Sequence, residues 1–299
     1  MNEAVLRMVI ETKITISDAN KILSIFKELF PQLPSDVRGV LRQYKKCPAR
    51  SLGSGVYYHF GLAKHLLRFV EDWLNTDSFT TVEFHLNFDG LSGFRSSKQQ
   101  LYPILGRIVS PRTSEVFLVG IYGGLSKPAD FNDFSEDVIS ELEVLSSDKL
   151  CVLRRNIRLT VRLCAVVCDT PARSFAKYTI GHNDTAGCDK CIVLGRRQEG
   201  RMTFGNHDYS LRTNDTFRGR QQENHHKGTS NFERLRLNMI SAFPLDPMHL
   251  VYLGVVKKIV GLWETLAVTR QRNISRQVLR GIDDNLQLCR SKTPRDFSR

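Results

Sequence analysis

No apolar run in the chain reaches the ~18 residues that a membrane-spanning helix requires, so the sequence predicts no membrane segment. Cysteine is sparse and scattered. Seven occur in 299 residues, an odd number, and only Cys188 and Cys191 stand close together in a motif. That excludes the framework of a small disulfide-stapled secreted domain and predicts a reducing compartment. The opening MNEAVLRMVIETKITISDANK has Glu3 and Glu11 inside what would have to be a signal peptide, so a soluble intracellular protein is expected. There is no internal repeat and no lysine-arginine cluster that would mark nuclear import. Acids are outnumbered: Asp plus Glu total 31 against 43 Lys plus Arg, giving a net charge of +12 and a pI near 9.5. Such an excess suits a polyanionic partner bound in a salt-dependent way. At 41% hydrophobic and 25% charged, the chain can build one large core or two ordinary ones.

What is present begins with two aspartates at strand ends. In Thr80 to Asp89 (TTVEFHLNFD), Val82, Phe84, Leu86 and Phe88 alternate with polar partners, the period-2 pattern of a half-buried strand, and Asp89-Gly90 breaks it. Ile157 to Asp169 (IRLTVRLCAVVCD) alternates first and then becomes the apolar run Leu163 to Cys168, as a strand covered on both faces would. Asp169-Thr170-Pro171 ends it. Between them lie two further strands, Tyr102 to Val109 and Glu115 to Tyr122, and a helix from Phe131 to Leu145. Taken singly, each aspartate is a turn starter whose side chain satisfies backbone amides. Taken together, on the first and fourth strands of a strand-strand-strand-helix-strand order, they stand where a ribonuclease-H-like domain carries two carboxylates for divalent metal.

The rest of the chain is organised around that core. Residues 1–79 read mainly as helices: Ser17-Asp18 caps one ending before Pro31, Ser35-Asp36 starts another through Tyr44, and Tyr57 to Leu74 forms a third after a Gly53-Ser54-Gly55 loop. The expected units are a helical segment at 1–79, the core at 80–181, an insertion at 182–242 and C-terminal helices at 243–299. Within the insertion, Gly195 to Arg236 is polar and aperiodic, a long loop by composition. Phe243 to Val268 and Ile274 to Cys289 are helical, before a polar tail.

Cys188-Asp189-Lys190-Cys191 has the spacing of a zinc half-site, and a tetrahedral site needs two more ligands. His182 and His249 are the candidates, with the pair His225-His226 as outsiders. Two ordinary cysteines, or a redox pair, fit the spacing too, although no strand-to-helix setting of the thioredoxin kind precedes it.

Four separated blocks, HLNFDGLSGFRSSKQQLYPILG from His85, CDTPARSFAKYTIGHNDTAGCDKC from Cys168, RTNDTFRGRQQENHHKGTSNFERL from Arg212 and FPLDPMHLVYLGVVKK from Phe243, resemble transposases of the CACTA or EnSpm group and the transposase-like proteins descended from them. The resemblance covers most of Thr80 to Lys258. It implies a ribonuclease-H-like fold with an Asp, Asp, Glu triad, with Asp89 and Asp169 as its first two acids. It implies magnesium or manganese at those acids, with two ions about 3.5–4 Å apart in a complete site. It implies structural zinc on Cys188, Cys191 and His249, by similarity to the recombinase that carries a C-x-x-C and later histidines, with His182 as fourth ligand. DNA and a second copy of the chain are the implied partners, in the nucleus and away from membranes. Arg95, Lys98 and Arg173 are candidates for positioning phosphates. The third acid of the triad has no match: the sequence ends at a Pro294-Arg295-Asp296-Phe297-Ser298-Arg299 stretch, ahead of where the family carries its Glu, and Glu264 falls in the wrong block. The expectation is therefore a transposase-like protein, truncated and catalytically incomplete. The alternative is a non-catalytic, zinc-stabilised module that binds DNA or another protein.

Overall fold

The computed structural model describes residues 4–5, 8–9, 12, 14–42, 49–92, 98–205, 209–268 and 276–292. In chain order the elements are α1 (Ile16–Lys27), α2 (Val37–Arg42), β1 (Arg50–Leu52), β2 (Gly55–His59), α3 (Leu62–Trp73) and β3 (Thr81–Phe88). There follow β4 (Leu91–Ser92), β5 (Gln100–Ser110), β6 (Phe117–Gly124), α4 (Phe131–Asp148), β7 (Leu150–Val152), β8 (Ile157–Cys168) and α5 (Thr170–Lys177). A hairpin of β9 (Arg196–Gln198) and β10 (Arg201–Thr203), the short α6 (Asn214–Arg218), α7 (Lys257–Val268) and α8 (Arg276–Lys292) complete the set.

The alternation in β3 does what it predicts. Val82, Phe84, Leu86 and Phe88 are all buried while their neighbours are half-buried. β3 lies in the middle of a mixed sheet of order β1-β2-β6-β5-β3-β8-β7, with β4 paired to β5. Its partner β5 runs antiparallel and its partner β8 runs parallel, with Phe88 opposite Cys168. A parallel pair needs a crossover, and α4 supplies it. Asp130 caps α4, its side chain accepting from the Asp133 amide at 2.9 Å, and Phe131, Phe134, Val138, Ile139, Leu142 and Leu145 bury one face on the sheet. The fold is mixed α/β.

The segment before Thr80 departs in part from the mainly helical expectation. Gly53, at φ +57°, lets β1 and β2 turn into a hairpin, and β2 extends the sheet along β6. Tyr57, expected to open a helix, lies in that strand over Gly120, where any Cβ would meet the Tyr57 hydroxyl at 2.3 Å. α3 starts only at Leu62, after Gly61 at φ +92°, and packs Leu62, Leu66 and Val70 into the main core. Glu141 of α4 joins them by accepting the Leu62 and Ala63 amides at 2.6 and 2.7 Å and bonding His59 at 2.9 Å. Residues 50–74 thus belong to the core, and the boundary expected at 79 does not divide it. Thr15, rather than Ser17-Asp18, caps α1. Of the helix expected through Tyr44, α2 ends at Arg42, and residues 43–48 lie outside the described ones.

The polar stretch after Gly195 is ordered by side chains bonding irregular backbone. Arg218 donates to the carbonyls of Glu233, Leu235 and Leu237 at 2.7–2.9 Å, and Ser230 and Glu233 form a capping box. These bonds carry Phe217, Phe232 and Phe243 into the same core as Phe88 and Phe131. Ala242 accepts the Val166 amide at 2.7 Å, fastening the segment to β8. Beyond it, Met248–Val256 winds in wide π turns that run on into α7, with Val251, Tyr252, Leu253 and Trp263 exposed. Among the described residues, no helix is long and apolar enough to cross a membrane.

Candidate functional site

β3 and β8 end side by side, so Asp89 and Asp169 follow paired residues at the same end of the parallel strands. Asp89 Oδ1 accepts the Gly90 amide at 2.8 Å. Asp169 Oδ1 caps α5 by accepting the Ala172 amide at 2.7 Å. Each aspartate is therefore a turn starter through one oxygen, and among the described residues none donates to either Oδ2. Glycine at 90 is required by packing: a Cβ there would stand 2.6 Å from the Tyr102 ring. Burial pushes the Asp89 carboxyl above its ordinary value, the Gly90 bond pulls it back, and the Asp169 charge pushes it up again.

The pair opens into a cavity of about 240 Å³ walled by Phe88, Tyr102, Lys127, Phe131 and Phe175. Tyr102 and Lys127 escaped the sequence reading. Burial and the charges of both aspartates raise the Tyr102 phenol, while Lys127 stands 5.0 Å over the Phe175 ring. The fold also brings up Asp246 and His249, which bond each other. That bond raises the His249 imidazole above its ordinary value, and the charges of Asp89 and Asp169 raise it further. His249, expected at a zinc site, instead bonds Asp246 and lines, with Asp169, a second cavity.

No family model and no curated protein match this chain.

The expected zinc ligands come together only in part. Cys188 and Cys191 hold their Sγ atoms 3.3 Å apart as free thiols, which suits two ligands of one zinc. His182 is exposed, on the rim of a second cavity that it shares with Cys188, Asp169 and His249. Among the described residues no three His, Cys, Asp or Glu side chains converge on a common point. His225, one of the outsiders, is fully buried, with Nδ1 2.7 Å from the Ala186 carbonyl and, among the described residues, no hydrogen-bond partner for Nε2. Burial lowers it to about 4, so the ring is neutral, with Nδ1 donating and an unused lone pair on Nε2. His226 lies beside it, with Nδ1 2.6 Å from Arg220 Nη1.

Of the three residues expected to position phosphates, Arg173 is buried against Asp189 and the Pro244 carbonyl, Lys98 is exposed, and Arg95 lies outside the described residues. The Glu264 side chain also lies outside them.

Proposed function

We propose that this chain is a transposase-like protein of mobile-element descent, with a ribonuclease-H-like core in which Asp89 and Asp169 hold a divalent cation against DNA. The observation that carries the reading is the parallel pairing of β3 and β8 with Phe88 opposite Cys168, which gives two carboxylates one location. The donors fit the group: carboxylate oxygens are hard ligands that favour magnesium or manganese. Bound there, the ion would supply Lewis-acid activation of water or a 3′-hydroxyl and neutralise charge on a phosphodiester. The Gly90 and Ala172 amides fix the two carboxylates, and each keeps one oxygen for the cation. Asp246 holds His249 protonated up to a higher pH, which adds a positive charge close to Asp169 on the neighbouring cavity. The excess of basic residues favours the DNA backbone, and descent from a transposase implies work in the nucleus. These two acids let the chain bind DNA through metal, and strand transfer would require a third.

The second reading is a non-catalytic DNA-binding module stabilised by zinc, and the juxtaposed Cys188 and Cys191 thiols favour it. Titration of labelled duplex DNA separates the two. In the first, manganese tightens binding several-fold, and Asp89→Asn and Asp169→Asn abolish the gain. Equal affinity with and without manganese, in all three proteins, supports the module instead.

A further inference from the structure

Asp189 sits in an excess of positive charge. Lys177 donates to its Oδ1, while Arg173 Nε and Lys190 Nζ lie 3.4 and 3.3 Å from its Oδ2. The Arg173 and Lys177 side chains are 5% and 0% exposed. Arg212, also buried, interacts with the same carboxylate. One carboxylate thus answers three basic groups in contact with it, with Arg212 buried nearby, so positive charge is in excess. Buried charge without a counter-charge is unfavourable, so an arrangement of this kind is completed by an anion.

Arg173 and Lys190, with Asp189 itself, lie on the wall of the second cavity, about 670 Å³, between α5, the Cys188–Cys191 turn and the 248–256 segment. Arg173, Lys190 and Lys258 line it together with Asp189 and the apolar Phe204, Leu245 and Val255. Asp169 stands on its edge and also borders the cavity of the aspartate pair. The volume is within the ~300–1,000 Å³ typical of small-ligand sites. A basic wall for phosphate and an exposed aromatic face for a base are the two parts of a single-strand nucleic-acid site. Phe204, 37% exposed, supplies the second.

We propose that this cavity takes one nucleotide of a single-stranded nucleic acid, its phosphate on the Arg173–Lys190 side and its base against Phe204. The source of the nucleotide rests on the nucleic-acid reading above, but the contact itself needs no metal. The test is fluorescence anisotropy of a labelled oligothymidylate at low salt in EDTA, with thymidine 5′-monophosphate and inorganic phosphate as competitors. Val255 is half exposed and Lys258 exposed, so Val255→Trp, which fills the cavity, and Lys258→Gln leave the fold intact, as circular dichroism checks. The expected result is binding weakened at least tenfold by Val255→Trp and several-fold by Lys258→Gln and Phe204→Ala, with the nucleotide competing better than phosphate. Oligonucleotide affinity unchanged in Val255→Trp and Phe204→Ala overturns the proposal, as does the absence of binding by the unsubstituted protein. Competition by the free nucleotide without oligonucleotide binding overturns the strand as source. Cavity-dependent oligonucleotide binding in EDTA, alongside duplex affinity that manganese without EDTA leaves unchanged, would refute the metal reading while sustaining this one.

Discussion

Asp169 caps a helix with one oxygen and leaves the other for the cavity, so turn chemistry and site chemistry share a side chain. Asn at either aspartate keeps the acceptor for the backbone amide and removes the charge, which makes it the substitution that separates the two roles. His225 shows the opposite economy: its ring is buried with a nitrogen unused, and folding holds it near pKa 4 against 6.5 for a free imidazole. Between those values the unfolded chain takes up a proton that the native ring refuses. Stability from this source is therefore complete above about pH 6.5 and is lost as pH falls toward 4. His226, also lowered to about 4, acts in the same sense. Melting temperature should decline through this window, and His225→Gln should have a shallower decline than the unsubstituted protein. Parallel pH profiles for the two would contradict the assignment.

At the scale of elements, the 212–243 segment is part of the core although it contains little regular structure. Phe232 is fully buried between Phe88, Phe131 and Phe243. Phe232→Ala should lower stability by about 3–5 kcal/mol in a single cooperative urea transition. A loss under about 1 kcal/mol, or a separate early transition, would mean the segment is an appendage. β3, β5, β6, α4 and β8 were legible in the sequence because each is long enough to show its period. β3 alternates over eight residues, and Asp130 marks the start of α4. The β1–β2 hairpin was not legible: strands of three and five residues carry too little pattern, and Tyr57 suits a helix as well as a strand. The order of the 212–243 segment was hidden because it comes from Arg218, Ser230 and Asn238 bonding backbone, which leaves no periodicity to read. That Asp89 and Asp169 lie side by side was legible from the order of the strands they end, not from either strand end alone. The place of His249 was not, since Asp-x-x-His spacing fixes its bond to Asp246 but not which side of the fold the pair will face.

Across the whole molecule, part of the +12 charge is spent inside: Arg173, Lys177, Lys190 and Arg212 surround Asp189 and tie α5 to the cysteine turn and to the 240–243 segment through the Ile240 and Phe243 carbonyls. That knot fixes α5, and with it Asp169, relative to the sheet that carries Asp89. The aspartate pair is consequently set by the same packing that forms the core, and metal should bind without refolding. The most direct test is manganese binding to the purified chain by water-proton relaxation, compared with Asp89→Asn and Asp169→Asn at equal stability. The account predicts enhanced relaxation in the unsubstituted protein and its loss in both variants. Relaxation that is the same in all three folded proteins would contradict it.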